Sequence, residues 1–172
     1  MSFTSPIERV PAPFVESDER RALSASLDYH RATILMKLDG LDEEQVRRPM
    51  VPTGLTLLGI VKHLEAVEHG WFQVRFAGSS ETYLYSTPDD LDADFRIEED
   101  ETTQEIVDRY VEACDQSRSI VAGASSLDEL FEAPRRGDCD LRWLLLHMIE
   151  ETARHNGHAD ILRELIDGVT GD

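Results

Sequence analysis

The stretch from Asp140 to Gly168, DLRWLLLHMIEETARHNGHADILRELIDG, constrains this chain more than any other. It contains no proline, begins on a residue that caps helix N-termini and ends on a glycine suited to a C-terminal cap. It therefore predicts one helix of roughly 27 residues. At 1.5 Å per residue that helix is about 40 Å long, and its apolar edge must be covered by partners of comparable length.

The edge is not purely apolar. At about 100° per residue, with His147 set at zero, Glu151 falls at about 40°, His155 at about 80° and His158 at about 20°. Leu144, Met148, Ala159 and Leu162 lie on or beside this quarter, whereas Glu150, Arg154 and Gly157 lie on the flank nearer solvent. A carboxylate without a partner on a core-facing edge is costly. Four residues from a histidine it becomes half of a metal site, because both side chains lean over the same turn and converge on one cation. One helix cannot close such a site, so a third ligand is expected from a neighbour.

Three further helices are predicted. Ser17-Asp18 starts the first, whose stripe of Leu23, Leu27, Ile34, Leu38 and Leu41 runs to a stop near Gly40. TLLGIVKHLEAVEHGWFQVRFAG, from Thr56, gives a second of about 22 residues ending near Gly78. Thr102 and Glu105 have the capping-box spacing and open a third, with Ile106, Tyr110, Ala113, Cys114, Ser117 and Val121 on one side. Residues 1–16, with three prolines, read as an irregular lead-in, and Leu41-Asp-Glu-Glu as an acidic turn. The segment 79–101 reads as a loop in which YLYS and DFRI are weak strand candidates. Another loop, with a candidate helical turn at 126–131, passes Pro134 and Gly137. The expectation is an all-α, four-helix bundle in which residues 1–172 form a single domain.

The second helix offers His63 or His69 as the third ligand. His63 shares its face with Gly59, Ile60, Val67 and Gly70, an apolar and small inward face; His69 sits with Lys62, Glu65 and Gln73, a face that reads as solvated. Gly59, one turn before His63, and Gly70, two turns after it, also admit a close neighbour. The expected site is His63, Glu151 and His155, a donor set that suits zinc, nickel or ferrous iron. Most Glu-xxx-His pairs on helices are surface ion pairs, but the apolar neighbours of Glu151 and the inward His63 favour ligation. His147 and His158 either orient ligands or are satisfied core histidines, and both readings stay open. His30 reads as core, and Trp71-Phe72 as packing ahead of a substrate platform. Arg142 and Arg154 are cations near the site helix.

Other metal and nucleophile chemistries are absent. The residues three before each histidine are Leu27, Ile60, Ala66, Leu144, Thr152 and His155, so the Glu-x-x-His pairs of di-iron bundles are missing. There is no HExxH, GxSxG or Walker-type loop. With 35 acidic against 17 basic residues and a net charge of −18, the chain is a poor partner for nucleic acid or an anionic membrane. The first twenty residues lack an apolar h-region and no stretch is apolar enough to span a membrane, so a cytoplasmic location is expected. Cys114 and Cys139 have no ligand-like spacing and read as reduced.

LTLLGIVKHLEAVEHGWF, followed about 75 residues later by LRWLLLHMIEETARHNGHADILRE, resembles the DinB-like superfamily of bacterial metalloproteins, in its actinobacterial branch of mycothiol-dependent transferases. DYHRATILMKLDGL is similar to that family's first helix. The resemblance implies an up-down-down-up four-helix bundle, often a homodimer, holding one divalent metal, zinc ahead of nickel or iron. Matched motif to motif, the ligands again fall on His63, Glu151 and His155. Many members have histidine where this chain has Glu151, but the maleylpyruvate isomerase branch uses glutamate. Where this chain has His158 the family often has glutamine, which leaves open whether His158 touches metal or substrate; Arg154, His147 and Trp71 are further candidates to surround them. The implied chemistry is metal-assisted transfer of a low-molecular-weight thiol, mycothiol or bacillithiol, to an electrophilic small molecule in detoxification. A silent metal-binding stress protein and a thiol-dependent isomerase are the alternatives.

Overall fold

Each α-helix among the described residues begins where a side chain accepts a free N–H group of its first turn. Asp18 accepts from Arg21 N and starts α1 (Glu19–Met36). Asp42 and Gln45 form a reciprocal capping box around the short α2 (Glu43–Val46). Thr56 accepts from Gly59 N at the start of α3 (Leu57–Glu68). Thr102 and Glu105 box the start of α4 (Thr103–Gly123), and Asp140 accepts from Trp143 N at the start of α5 (Leu141–Asp167). Gly168 ends α5 in the left-handed conformation at φ 80°, which a side chain would disfavour. The computed structural model describes residues 2–133 and 136–171.

The second long helix changes its winding. Beyond Glu68 it continues as a π-helix, His69–Phe76, in which each residue turns by less than in an α-helix. α1 lies along α5, α3 along α4, and α3 also meets α5. One apolar cluster joins Ile34, Leu38, Leu58, Val61 and Tyr110; a second joins Leu27, Phe72, Leu144, Leu145 and Met148. Each such buried side chain contributes about 1.5–3 kcal/mol. Between the clusters Arg31 on α1 grips Glu68 on α3 with two hydrogen bonds, Nε to Oε1 at 2.8 Å and Nη2 to Oε2 at 2.6 Å. Both partners are buried, so each charge depends on the other. Among the described residues no helix is long and apolar enough to cross a membrane.

The chain is mostly helical, with one addition to the expected all-α set. Leu130–Ala133 (β1) pairs antiparallel with Gly137–Asp140 (β2), where the sequence suggests a loop and a helical turn. Phe131 and Ala133 point inward and Leu130 and Glu132 outward, but four residues are too few for that alternation to stand out from the pattern of a helical turn. Pro134 lies outside the described residues. YLYS and DFRI do not pair: the segment holds a bridge between Thr87 and Asp90 and a single 3₁₀ turn at Ala93–Phe95. The acidic turn after Leu41 folds as α2.

The segment 79–101 folds back over α3, and this corrects the solvated face assigned to Lys62, Glu65 and His69. Lys62 Nζ donates to Arg96 O at 2.8 Å and to Glu101 Oε2 at 2.6 Å. The Tyr85 hydroxyl donates to Glu65 Oε1 at 2.9 Å, and Arg109 closes on the same carboxylate at 3.3 Å. His69 Nε2 donates to the Thr82 carbonyl at 3.1 Å. Lys62, Glu65 and His69 are all buried. Their polarity marks partners on a covering segment rather than water, a distinction that helical periodicity alone does not make.

Gly59 is where that cover presses closest: a Cβ there would stand 2.5 Å from the Phe95 carbonyl oxygen. A Cβ at Gly157, on the exposed side of α5, would meet nothing within 4 Å. Gly157→Ala is therefore expected to stabilise the chain by about 0.5–1 kcal/mol through helix propensity. Gly59→Ala is expected to destabilise it by about 1–3 kcal/mol through overpacking. Urea denaturation of the two variants measures both signs.

Candidate metal centre

α3 delivers His63, and α5 delivers Glu151 and His155 one turn apart. One donor atom from each lies within 4.8 Å of the other two, and no other three His, Cys, Asp or Glu side chains converge this way among the described residues. Glu151 Oε1 stands 3.2 Å from His155 Nε2 and 3.5 Å from His63 Nε2. The two imidazole rings are 4.7 Å apart and tilted by 56°. His155 is buried, and His63 and Glu151 are half-buried.

The unsatisfied atoms test whether these residues fit a cation. His63 Nδ1 donates to Asp94 Oδ2 at 2.9 Å, which leaves the lone pair on Nε2. That Nε2 is buried and has no hydrogen-bond partner, and neither has the buried Nδ1 of His155. A buried polar atom left unpaired costs about 1–3 kcal/mol. An imidazole fixed by a carboxylate on one nitrogen, with the other free beside a carboxylate and a second imidazole, is the arrangement a divalent cation uses. The donors fit zinc, nickel or ferrous iron.

The electrostatics follow from this crowding. Hydrogen bonding to His155, then to His63, holds the Glu151 carboxyl far below the usual carboxylate range despite burial, and Arg154 adds to the effect. Burial pulls the His63 pKa down, but the carboxylates of Asp94 and Glu151 outweigh it and the net shift is upward. For His147 burial dominates and lowers the pKa, with Glu151 opposing and Arg136 and Arg75 reinforcing.

The residues named from sequence around this trio divide. Arg154 Nη2 holds the outer oxygen, Glu151 Oε2, at 2.7 Å while itself largely exposed. His158 is exposed, with its ring edge-on to His155 at 5.3 Å, and it is not part of the converging trio. Its pKa is lowered, by burial first and then by the charges of His155 and Arg154. His147 and Trp71 do not join the trio either; they pack together with Trp143 one turn away along α5.

Two residues escaped the sequence reading. Asp94 and Phe95 sit on the 3₁₀ turn, one hydrogen-bonded to His63 and the other stacked on its ring at 4.0 Å and 13°. Asp94 is one acid among many in an acidic segment, so nothing in its local sequence marks it. The available signal was Gly59, one turn before His63, whose missing side chain announces a close neighbour on that face.

Comparison with known proteins adds one finding. The profile of a family described as Mycothiol-S-transferase matches residues 22–168. No curated protein matches the chain.

Asp94→Ala is expected to lower zinc affinity about 10- to 100-fold by freeing the His63 ring, read by competition with a chromogenic chelator. Unchanged affinity would show that Asp94 does not orient the ligand. A second outcome concerns pH in the metal-free chain. The raised pKa of His63 contributes stability that is present below its usual value of 6.5 and lost as pH rises through the higher folded value. The depressed pKa of Glu151 contributes stability that is present above its usual 4.5 and lost as pH falls. Binding a cation requires imidazole nitrogens free of protons, so the gain in melting temperature on adding zinc is expected to grow from pH 6 to pH 8. Parallel melting curves with and without zinc check it.

Proposed function

The chain belongs to the mycothiol-S-transferase family, within the DinB-like superfamily, and from that premise we propose that it is a metal-dependent S-transferase joining a low-molecular-weight thiol, mycothiol or bacillithiol, to electrophilic small molecules. In this reading His63, Glu151 and His155 hold a divalent cation, zinc. The four long helices are the family's up-down-down-up bundle, residues 1–172 are one domain, and the chain works in the cytoplasm as a homodimer. The observation that carries the reading is the free, buried Nε2 of His63, within 4.8 Å of the donor atoms of Glu151 and His155.

When bound, the cation supplies positive charge that favours a thiolate over a thiol near neutral pH. Glu151 is the one carboxylate among three donors, so it cancels only part of a double positive charge and leaves the rest for an incoming anionic sulfur. Asp94 and Phe95 hold the His63 ring by its far nitrogen and its face, so that ligand costs little reorganisation. Arg154 occupies Glu151 Oε2 and leaves Oε1 directed between the imidazoles. The thiol proton leaves to water, and the sulfur then attacks the electrophilic carbon. An S–C bond forms as a carbon–halogen bond breaks and the halide departs, or as an epoxide C–O bond breaks and its oxygen takes a proton from water, or as an activated alkene takes up the sulfur and then a proton from water.

Metal analysis tests this. Wild type is expected to retain about one divalent ion per chain, and His63→Ala and Glu151→Ala to lose it. Metal-loaded wild type is expected to consume mycothiol or bacillithiol in the presence of monochlorobimane, with the two variants slower by at least about 100-fold. Stoichiometric metal with no turnover of either thiol would contradict the transferase reading.

A further inference from the structure

The chain has two tryptophans, Trp71 and Trp143, and they meet across the seam between the π-helix His69–Phe76 and α5 with ring centroids 5.5 Å apart. His147 stacks on Trp143 at 5.0 Å and 10° and meets Trp71 edge-on at 4.6 Å. All three rings are half-buried. Trp143, His147 and Glu151 succeed one another at four-residue steps on α5, so the aromatic cluster shares the edge of the candidate metal centre and begins about 6 Å along the axis from it. Trp71 and Arg75 lie in the π-helix that continues the strand of residues carrying His63. π-turns cost helix stability and are frequent at functional sites.

Charge distinguishes this seam from the rest of the surface. Arg75 lies over Trp71 at 3.9 Å and Arg136 over Trp143 at 5.2 Å. Acidic residues outnumber basic ones by 35 to 17, so most guanidiniums here find a carboxylate, as Arg31, Arg109, Arg118 and Arg142 do. Arg75 and Arg136 make no ion pair among the described residues; Arg75 Nε donates only to the Tyr83 hydroxyl at 3.2 Å. Both are held on indole faces by cation–π attraction, which leaves N–H donors for another acceptor. Asp138 and Asp140 share a recess with Arg136, and Asp140 is already engaged in capping α5. Arg75 is accordingly the freer cation of the two.

Apolar rings with guanidiniums lying over them that make no ion pair among the described residues complement a flat anion. The rings take up a conjugated or aromatic body, and a guanidinium takes a carboxylate in a two-point hydrogen bond. We propose that the seam of Trp71, Trp143 and His147 with Arg75 and Arg136 is the subsite for the electrophile, and that it selects planar conjugated electrophiles bearing a carboxylate. This rests on the transferase reading above. With an aryl halide the thiolate sulfur bonds to the ring carbon and the halide departs with its bonding pair. With a conjugated alkene the S–C bond forms at the β carbon, and the displaced pair at the α carbon takes a proton from water.

Because both tryptophans sit in the seam, tryptophan fluorescence, excited where the four tyrosines do not absorb, reports on it, and binding can be read without turnover. Full-length protein, with and without EDTA, is titrated with unreactive 3,5-dinitrobenzoate and with neutral 1,3-dinitrobenzene. The anion is expected to quench saturably with about tenfold higher affinity than the neutral ring. Arg75→Gln with Arg136→Gln is expected to bring the anion's affinity down to that of the neutral ring and leave the latter unchanged. Linear, non-saturating quenching by both compounds, or no preference for the anion in wild type, overturns the subsite whether or not the variant folds. A preference that survives loss of both arginines overturns it too. Turnover then separates the two readings: 4-chloro-3,5-dinitrobenzoate is expected to exceed 1-chloro-2,4-dinitrobenzene in kcat/KM. Saturable, arginine-dependent binding without thiol transfer overturns the transferase reading, and with it the electrophile role, while upholding the seam as a site for planar carboxylates.

Discussion

Glu151 stands between two imidazoles, 3.2 Å from His155 Nε2 and 3.5 Å from His63 Nε2, and ties α3 to α5. A carboxylate in that position must be offset by positive charge, since removing an ion from water costs several kcal/mol. Arg154 supplies some of it from the solvent side. On the inner side His155 Nε2 and His63 Nε2 face Glu151, and His63 Nε2 is buried without a hydrogen-bond partner. A divalent cation satisfies all three donors together, whereas protonation of His63 satisfies one. In the metal-free cluster hydrogen bonds from His155 and His63 hold the Glu151 carboxyl low, and against burial Asp94 and Glu151 raise the His63 pKa.

The surroundings solve the same problem by other means. In a chain so rich in acids, burying charge requires matched partners, and the segment 79–101, with Arg109 from α4, provides them along α3. Lys62 reaches Glu101 and the Arg96 carbonyl, Glu65 receives Tyr85 and Arg109, and Asp94 receives His63. The cover is thereby registered on α3, and the absent side chain of Gly59 lets the Phe95 carbonyl come within contact. Phe95 stacks on the His63 ring at the same point, so the position of His63 and the seating of the cover are one structural fact.

The helices were legible in the sequence because capping residues and apolar spacing act within a few residues of each other. Asp18, Thr56, Thr102, Asp140 and Gly168 stand at the ends they announce. The meeting of His63 with Glu151 and His155 also followed from helical phase, since each projects from a long element whose inward face is fixed by its neighbours. What could not be read lies where contact is between segments remote in sequence. The faces of Lys62, Glu65 and His69 are polar yet buried, because their partners arrive from a loop with no periodicity. The β1–β2 hairpin is too short to show alternation, and the π-winding after Glu68 leaves no mark in composition. Asp94 was hidden for the same reason, an acid in an acidic stretch whose role depends on a partner 31 residues away.

Zinc K-edge X-ray absorption on the zinc-loaded chain measures the coordination shell directly. Two imidazoles and a carboxylate oxygen are expected, with nitrogen and oxygen scatterers at about 2.0–2.2 Å and the outer-shell pattern of two histidine rings. A shell containing protein sulfur, or one without imidazole scattering, would contradict the assignment of His63, Glu151 and His155 as the ligands.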